Sequence, residues 1–373
     1  MAKFSISMPS GPAPLAARRR LCAALLLSAL VAGHGLASAP TAAPVGDALD
    51  RAALQARQPS RVVLLDAAYA GDTVVAVGER GLIVRSADEG RSWQQAVVPA
   101  SATLTAVSFQ DEKHGLAVGH GGLVLATEDA GRSWQKRMDG RQIAQLMLAS
   151  AERSGQERAL AQARQLVADG PDKPLFALLQ LDGRRMLAVG AYNIVLRSED
   201  GGRSWTVPDA PLDNPQASHI YAARARGTRV LLAGEQGLIL LSEDGGKNFR
   251  RLPAPYRGSF FTAEITADGG ILVAGLRGNV WHSPDGGAHW HVRRTSSQAT
   301  VTHSSLLGDE PLLSTLSGQL LRRQDDALIP LLGTPLPSIN AILPLRSGGV
   351  LALTGSGAIA LPATAFQNFG TTR

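Results

Sequence analysis

Most residues of this chain that could do chemistry sit in two short motifs. The first is S/T-x-D-x-G-x-x-W/F. It occurs at Ser86/Asp88/Gly90/Trp93, Thr127/Asp129/Gly131/Trp134, Ser198/Asp200/Gly202/Trp205, Ser242/Asp244/Gly246/Phe249 and Ser283/Asp285/Gly287/Trp290. A recurring carboxylate could be a catalytic acid, a metal ligand or a turn acceptor. Spacing favours the last: an Asp just before Gly accepts backbone N–H groups in a hairpin turn. The Gly supplies a left-handed conformation and the aromatic ring packs between sheets. Copies spread evenly along the chain cannot converge on one ligand. The second motif is a turn about eight residues upstream of each aspartate. These turns hold Glu79, Arg80, His120, Tyr192, Asn193, Glu235, Gln236 and Arg277, a mixed polar set and the candidate binding face. Two carboxylates across such a face, Glu79 and Glu235, could serve a glycoside hydrolase as acid and base.

The elements that must position these turns are strands. Segments 75–93, 116–134, 187–205, 231–249 and 272–290 are versions of one pattern, and degenerate copies follow at 312–327 and 350–365. Anchors at Gly81, Gly122, Asn193, Gly237, Gly278, Gly318 and Gly357 lie roughly 40 residues apart, except one interval longer by about 30. Each unit reads as four short strands, for example 104–109, 116–118, 123–125 and a last one from Ser133 through Trp134. Seven such units predict an all-β fold, a seven-bladed β-propeller over residues 61–369, because a single blade cannot bury both faces of its sheet. The long interval is an insertion over 139–174, with two predicted helices, Arg141–Arg153 and Gln156–Ala168, broken at Ser154-Gly155. By strand parity the insertion lies at the same end of the propeller as the polar turns. It could be a docking element for a partner, or it could simply pack there.

Composition narrows the function. The 373 residues are 45% hydrophobic and 18% charged, with 40 Gly and 21 Pro, a globular balance rich in turns. Arg18-Arg19-Arg20, an apolar run over 21–33 and Ala37-Ser38-Ala39 have the form of a secretory signal peptide, residues 1–39, followed by a linker, 40–60. That predicts an exported, periplasmic protein. An uncleaved N-terminal membrane anchor is the alternative, though the run is short for a span. Residues 1–39 carry four Lys/Arg and no acid, so the formal charge of +6 falls to +2 beyond them. Nucleic acid is therefore not an expected partner. The sole cysteine, Cys22, lies in the apolar run. No thiolate metal site or cysteine nucleophile is expected, and neither a resident metal nor a cofactor is assigned. His289 and His291 flank Trp290, and His282 is the one further histidine that could stand in register with them, half a zinc site at most. No GxSxG or HExxH motif occurs.

The repeated motif resembles the Asp-box, or BNR repeat. The pattern VAVGxxGxIxxSxDGGxSW together with the leader resembles the photosystem II stability/assembly-factor-like family over roughly residues 60–365. That resemblance implies a seven-bladed propeller without catalytic activity, which assists the assembly or stability of an envelope membrane-protein complex through protein–protein contact. Asp-boxes also occur in sialidases, so a carbohydrate-binding protein or glycoside hydrolase, with a glycan or small ligand on the polar turns, is the alternative. Against it, the Arg-Ile-Pro segment of sialidases is missing. Tyr69, Tyr192, Tyr221 and Tyr256 also offer no Tyr–Glu pairing of the sialidase kind.

Overall fold

The computed structural model describes residues 46–369; the leader expected over 1–39 lies outside the described residues. Seven antiparallel sheets follow one another along the chain. Blade 1 is built from Leu64–Ala70, Thr73–Gly78, Ile83–Ser86 and Gln94–Gln95. Blades 2, 4 and 5 repeat this four-strand order, with first strands Leu104–Phe109, Ile220–Arg226 and Phe260–Ile265. Blade 3 starts at Leu175–Gln180, and its fourth strand is reduced to one bridge between Arg197 and Thr206. Blade 6 starts at Val301–Leu307 and gains a parallel outer strand, Arg294–Thr295. The first strands contact each other in sequence and then back to blade 1, so they form the wall of a central channel.

The sequence dictates this arrangement through its second strands. Their central residues are mostly apolar and buried, and in Gly115–Gly119 and Met186–Gly190 the whole strand is. A strand buried on both faces needs sheets on both sides, which is what neighbouring blades provide.

The Asp-box makes that stacking close. In blade 3, Asp200 Oδ1 accepts from Ser198 Oγ at 2.8 Å and from the backbone N–H of Ser204 at 2.9 Å. Ser198 Oγ accepts the Gly202 N–H at 2.8 Å. Asp88, Asp129, Asp244 and Asp285 accept in the same way from their own Ser or Thr and from the residue four positions on. These bonds hold the Asp88 and Asp200 carboxyls down at about 2. The turn presents its glycine to the blade before it. A Cβ on Gly202, at φ +82°, would lie 2.2 Å from Leu116 of blade 2, and one on Gly90 would lie 2.7 Å from Leu351 of blade 7.

The aromatic position of the motif is less uniform than the repeat implies. Trp205 is buried with Leu116 and Val118 of blade 2 and Met186 and Leu196 of blade 3. Phe249 packs on Leu187 and Val189 of blade 3 and Val230 of blade 4. Packing between blades is thus as expected, but the polar edge of the ring differs from copy to copy. The Trp93 and Trp134 indoles donate to the carbonyls of Gly90 and Gly131, both at 3.1 Å. The indole nitrogens of Trp205 and Trp290 are buried without an acceptor, and Phe249 has no N–H to donate. The ring's apolar surface is therefore what every copy needs, and the turn bond is an addition in two of them. Trp205 and Phe249 also do not open a last strand, as the pattern around Trp134 suggested. Pairing begins one residue later, at Thr206, Arg250 and, in blade 2, Gln135, because the ring must first turn inward between the sheets.

Closure of the ring differs from the usual expectation of a complete last blade. Blade 7 has three strands only, Ile339–Pro344, Val350–Thr354 and Gly357–Leu361, and the chain then turns into a short 3-10 helix, Ala363–Phe369. Neither that segment nor residues 46–60 adds a fourth strand. Side chains close the ring instead. Leu64, Val74 and Val84 of blade 1 pack with Leu345, Leu351 and Leu353 of blade 7. Asn340 donates to Leu64 O at 2.9 Å, and the Arg346 guanidinium covers the Tyr69 ring at 4.8 Å. Residues 46–58, part of the expected linker, are fastened elsewhere. Leu49 is buried between blades 1 and 2, Ala53 N–H donates to Val98 O at 3.0 Å, and Asp47 and Asp50 hold Arg141.

The Gly202→Ala variant should therefore lose about 2–4 kcal/mol of stability from overpacking plus left-handed strain. Gly227→Ala, at φ +60° with open space around it, should lose only the strain, about 1–2 kcal/mol. Thermal unfolding of the two variants checks the difference, which isolates the inter-blade contact.

Candidate functional site

The second-to-third-strand connections are two-residue turns with both central residues at positive φ: Arg80-Gly81, Gly121-Gly122, Tyr192-Asn193, Gln236-Gly237 and Arg277-Gly278. This backbone matches strand twist in tight hairpins and normally favours Asn or Gly first. Here large side chains occupy the first position of four of the five turns and stand exposed. The structure brings only some of the candidate residues together. Glu79 and Arg80 sit on blade 1, His120 on blade 2 and Arg277 on blade 5, and their side chains make no hydrogen bond or ion pair among the described residues. The same holds for Gln236 on blade 4. Tyr192 and Glu235 do converge, through a residue the motif pattern does not single out. His219 Nδ1 accepts the Tyr192 N–H at 3.2 Å, and the His219 N–H donates to Glu235 Oε2 at 3.2 Å.

The insertion is a helical hairpin at this end, α1 (Gly140–Ser154) and α2 (Glu157–Asp169). Asp139 caps α1 with a reciprocal pair: it accepts from Arg141 N–H at 2.9 Å, and Gln142 Oε1 accepts the Asp139 N–H at 3.0 Å. Gly155, left-handed, ends α1 where the sequence broke it. Ile143 is buried among Met138, Leu175, Met186 and Ile194, so α1 belongs to the core between blades 2 and 3. The face of α2 toward the blades is only partly filled. Between the hairpin and the proline-rich connection 207–217 lies a groove of about 470 Å³. Met147, Ala151 and Leu166 form one wall, Val207 and Leu212 the other, and Tyr192 and Asn193 the floor. Buried Asn214 fixes the loop by donating to Asn193 Oδ1 at 3.0 Å and Ser218 O at 2.8 Å. Arg158 of α2 donates to Pro215 O across one end. At the other end Lys173, ion-paired with Asp169 and Asp172, places its ammonium 5.2 Å from the Tyr192 ring centre.

Beside the groove is the mouth of the channel, and its two halves differ. The residue after the buried start of each first strand points there, at a bulge shared by the blades. On one side Thr105, Thr302 and Asn340 each donate to a carbonyl of the next blade, at 2.7, 2.7 and 2.9 Å. On the other side the residues are Phe176, Tyr221 and Phe261, with ring centres 5.1 and 5.2 Å apart. His219 and Tyr192 extend this row. Burial, and then the nearby Glu235 carboxylate, raise the Tyr221 phenol above its ordinary range.

Further along the channel is a polar network that the repeat pattern concealed. Arg224 reaches Glu264 Oε1, His303 Nε2 and Ser304 O, each at 3.3 Å. Ser304 Oγ donates to Glu264 Oε1 at 2.8 Å and meets Thr262 Oγ1 at 2.6 Å. Asp66 Oδ2 accepts the Val107 N–H at 2.9 Å. Burial pushes Asp66 up to about 6, partly offset by that bond. Burial, reinforced by Arg224, drives His303 down to about 3, so its imidazole is neutral. These residues occupy the third to fifth positions of first strands, where other blades carry Ala, Val, Leu, Ile or, once, Ser. A charge in an apolar strand was the available signal. Among the described residues no group of three or more His, Cys, Asp or Glu could hold a metal ion; His289 is bonded to Asp285 at 2.6 Å.

The class this geometry defines is the BNR-type, Asp-box β-propeller with seven blades. Within that class the chain resembles the photosystem II assembly-factor-like family. Residues 86–172 match the family model described as photosynthesis system II assembly factor YCF48. A solved structure described as YCF48 bound to D1 peptide superposes with a TM-score of 0.60 at 17% identity, covering 83% of this chain and 98% of that one. YCF48 from Cyanidioschyzon merolae gives 0.58 at 14% identity, again over 83% and 98%. An ancestral GH74 enzyme gives 0.59 at 12% identity, over 81% of this chain and 45% of that one. Comparison with curated proteins gives no match. At these identities structural likeness carries the fold.

The channel network predicts opposing pH effects. Asp66 binds its proton more tightly folded, at about 6, than unfolded, near 3.9. Its contribution to stability is present below about pH 4 and lost as pH rises through 6. Asp66→Asn keeps the acceptor for Val107 and should be more stable than the parent at pH 7 but not at pH 4. His303 titrates at about 3 folded and near 6.5 unfolded, so its contribution is lost as pH falls below 6.5. His303→Gln should flatten that loss. Denaturation midpoints from pH 4 to 8 check both signs.

Proposed function

We propose that this chain is a non-catalytic, exported propeller that assists the assembly or stability of an envelope membrane-protein complex. In this reading it holds a protein segment of its client in the groove between the helical hairpin and the 207–217 loop. The observation that carries the reading is the groove itself. It is open and carries apolar side chains on both walls with Gln162 and Arg158 of α2 among the polar ones, it lies beside the aromatic half of the channel mouth, and its framework is fixed by Asn214 and the Asp139 cap. Its volume suits a few side chains of an extended or helical segment rather than a whole domain. The relatives support this: the matching family model describes assembly factors, and one solved relative carries a peptide of D1. The apolar leader and the near-neutral remainder of the chain support a periplasmic location.

The hydrolase alternative has less to rest on. Glu79 and Glu235 stand on blades 1 and 4, three blades apart around the ring, and Glu235 is engaged by His219. Glu235 is not among the residues that line the groove.

Removing the hairpin is a poor test, because Ile143 and Asp139 are part of the core. Gln162, exposed on α2 and lining the groove, is a better position. With the full chain tagged at its C-terminus and purified from gently solubilised envelopes, a membrane protein should co-purify in stoichiometric amount. Gln162→Trp should reduce that recovery about tenfold or more at an unchanged melting temperature, the effect of filling a binding pocket. A lone propeller, or full recovery with the filled groove, would overturn the reading.

A further inference from the structure

The aromatic half of the channel mouth is more than wall filling. Phe176, Tyr221 and Phe261 lie outside the apolar clusters of their blades and pack on one another along the rim. Blades 2, 6 and 7 show that Thr or Asn suffices at the same position, by bonding to the next blade. Three large rings are not needed to close the barrel of first strands. They present ring faces and edges to the channel opening, and Tyr192 and His219 continue the row to the groove floor.

The charged group shown directly against these rings is a carboxylate. Glu235 lies at the rim next to His219 and Tyr221. Inside the channel Asp66 and Glu264 face the cation Arg224, and His303 is neutral. At neutral pH these four channel residues carry one negative charge in excess below the aromatic row, and Glu235 is the carboxylate beside it; Arg80 and Arg277 stand on the outer turns of blades 1 and 5. Aromatic faces attract cations through their quadrupole, most strongly where water is excluded, and a nearby carboxylate adds a Coulombic contribution. The end of the row already does this within the chain: Lys173 stands over Tyr192, with its charge balanced by Asp169 and Asp172.

We propose that the crescent formed by Phe176, Tyr221, Phe261 and His219, with Glu235, binds a cationic side chain, the ammonium of a lysine or guanidinium of an arginine, from the client segment that occupies the hairpin groove. The site rests on the groove reading and deepens it. The segment lies along α2 and the 207–217 loop, crosses Tyr192 and turns its basic residue into the channel mouth.

The test has two arms on the full chain. In the first, N-acetyl-arginine amide and N-acetyl-lysine amide are titrated while the tyrosine ring resonances are followed, with N-acetyl-glutamine amide as the neutral control. The cationic amides should shift Tyr192 and Tyr221 saturably and the control should not. Glu235→Gln, which keeps an acceptor for His219, should weaken binding about fivefold or more, and Tyr221→Leu should abolish the shifts at an unchanged fold, the order expected for a cation–π contact with an adjacent ion pair. Equal shifts with the neutral amide, or insensitivity to both variants, would overturn the site. In the second arm the Lys and Arg residues of the recovered client segment are replaced by Gln one at a time. One replacement should weaken binding about tenfold to the parent chain and much less to Glu235→Gln. Amide binding without any such residue would overturn the assignment to the client and leave a site for free organic cations. Amide binding that persists when Gln162→Trp has no effect on the client would fail the groove reading alone.

Discussion

Everything in this molecule depends on blade-to-blade contact. A four-stranded sheet with an apolar second strand has two faces to bury and no helix layer to cover them, so each blade must be sandwiched by two others. The Asp-box turn makes the sandwich tight. Its Ser and Asp consume the turn's own backbone donors, and its glycine is thereby left flush against the preceding blade, with Gly202 against Leu116 and Gly90 against Leu351. A carboxylate that looks reactive in isolation is thus fully occupied holding a turn. The ring that follows it serves the same contact, which is why Phe249 can stand where Trp205 stands one blade earlier. The same constraint explains how a three-stranded last blade can close the ring. Stacking of Leu351 and Leu353 on Leu64 and Val84 replaces the missing edge hydrogen bonds.

With stability carried by the stacked sheets, one end of the propeller is free to vary. The tight turns there tolerate Arg80, Tyr192, Gln236 and Arg277 in left-handed conformations that cost roughly 1–2 kcal/mol each. A helical hairpin is accommodated between blades 2 and 3 because α1 joins the core through Ile143, while α2 reaches the packed interior only through Ala163 and Leu166 and leaves the groove beside it. The N-terminal strap reinforces this asymmetry by tying Asp47 and Asp50 to Arg141 at the start of α1. The channel follows the same logic. Polar first-strand residues that would be costly in a blade interior are satisfied there by one another, as Arg224, Glu264 and Ser304 show.

The sequence by itself determined the class of fold, the number of blades, the place of the insertion and the break between its helices. These follow from local rules: a 40-residue period, alternation of apolar runs with turns, and a glycine where a helix must end. It also determined that the Asp-box aspartates are turn acceptors, since their partners lie within four residues along the chain. What only the tertiary structure decided is what meets across blades. Even a bond within the turn varies: Trp93 and Trp134 donate to the carbonyl three residues back and Trp205 does not, although the local pattern is the same. Glu79, Arg80, His120 and Arg277 lie in the same repeated turn as Tyr192 and Glu235, yet the ring spreads them apart, while His219, from outside that turn, joins the last two. Phe176, Tyr221 and Phe261 read as ordinary strand residues until three first strands set them side by side. Asp66, Arg224, Glu264 and His303 are far apart along the chain and converge only because the channel is circular. Local spacing encodes turns and periods; it does not encode which members of a closed ring face one another, because that is set by the closure itself.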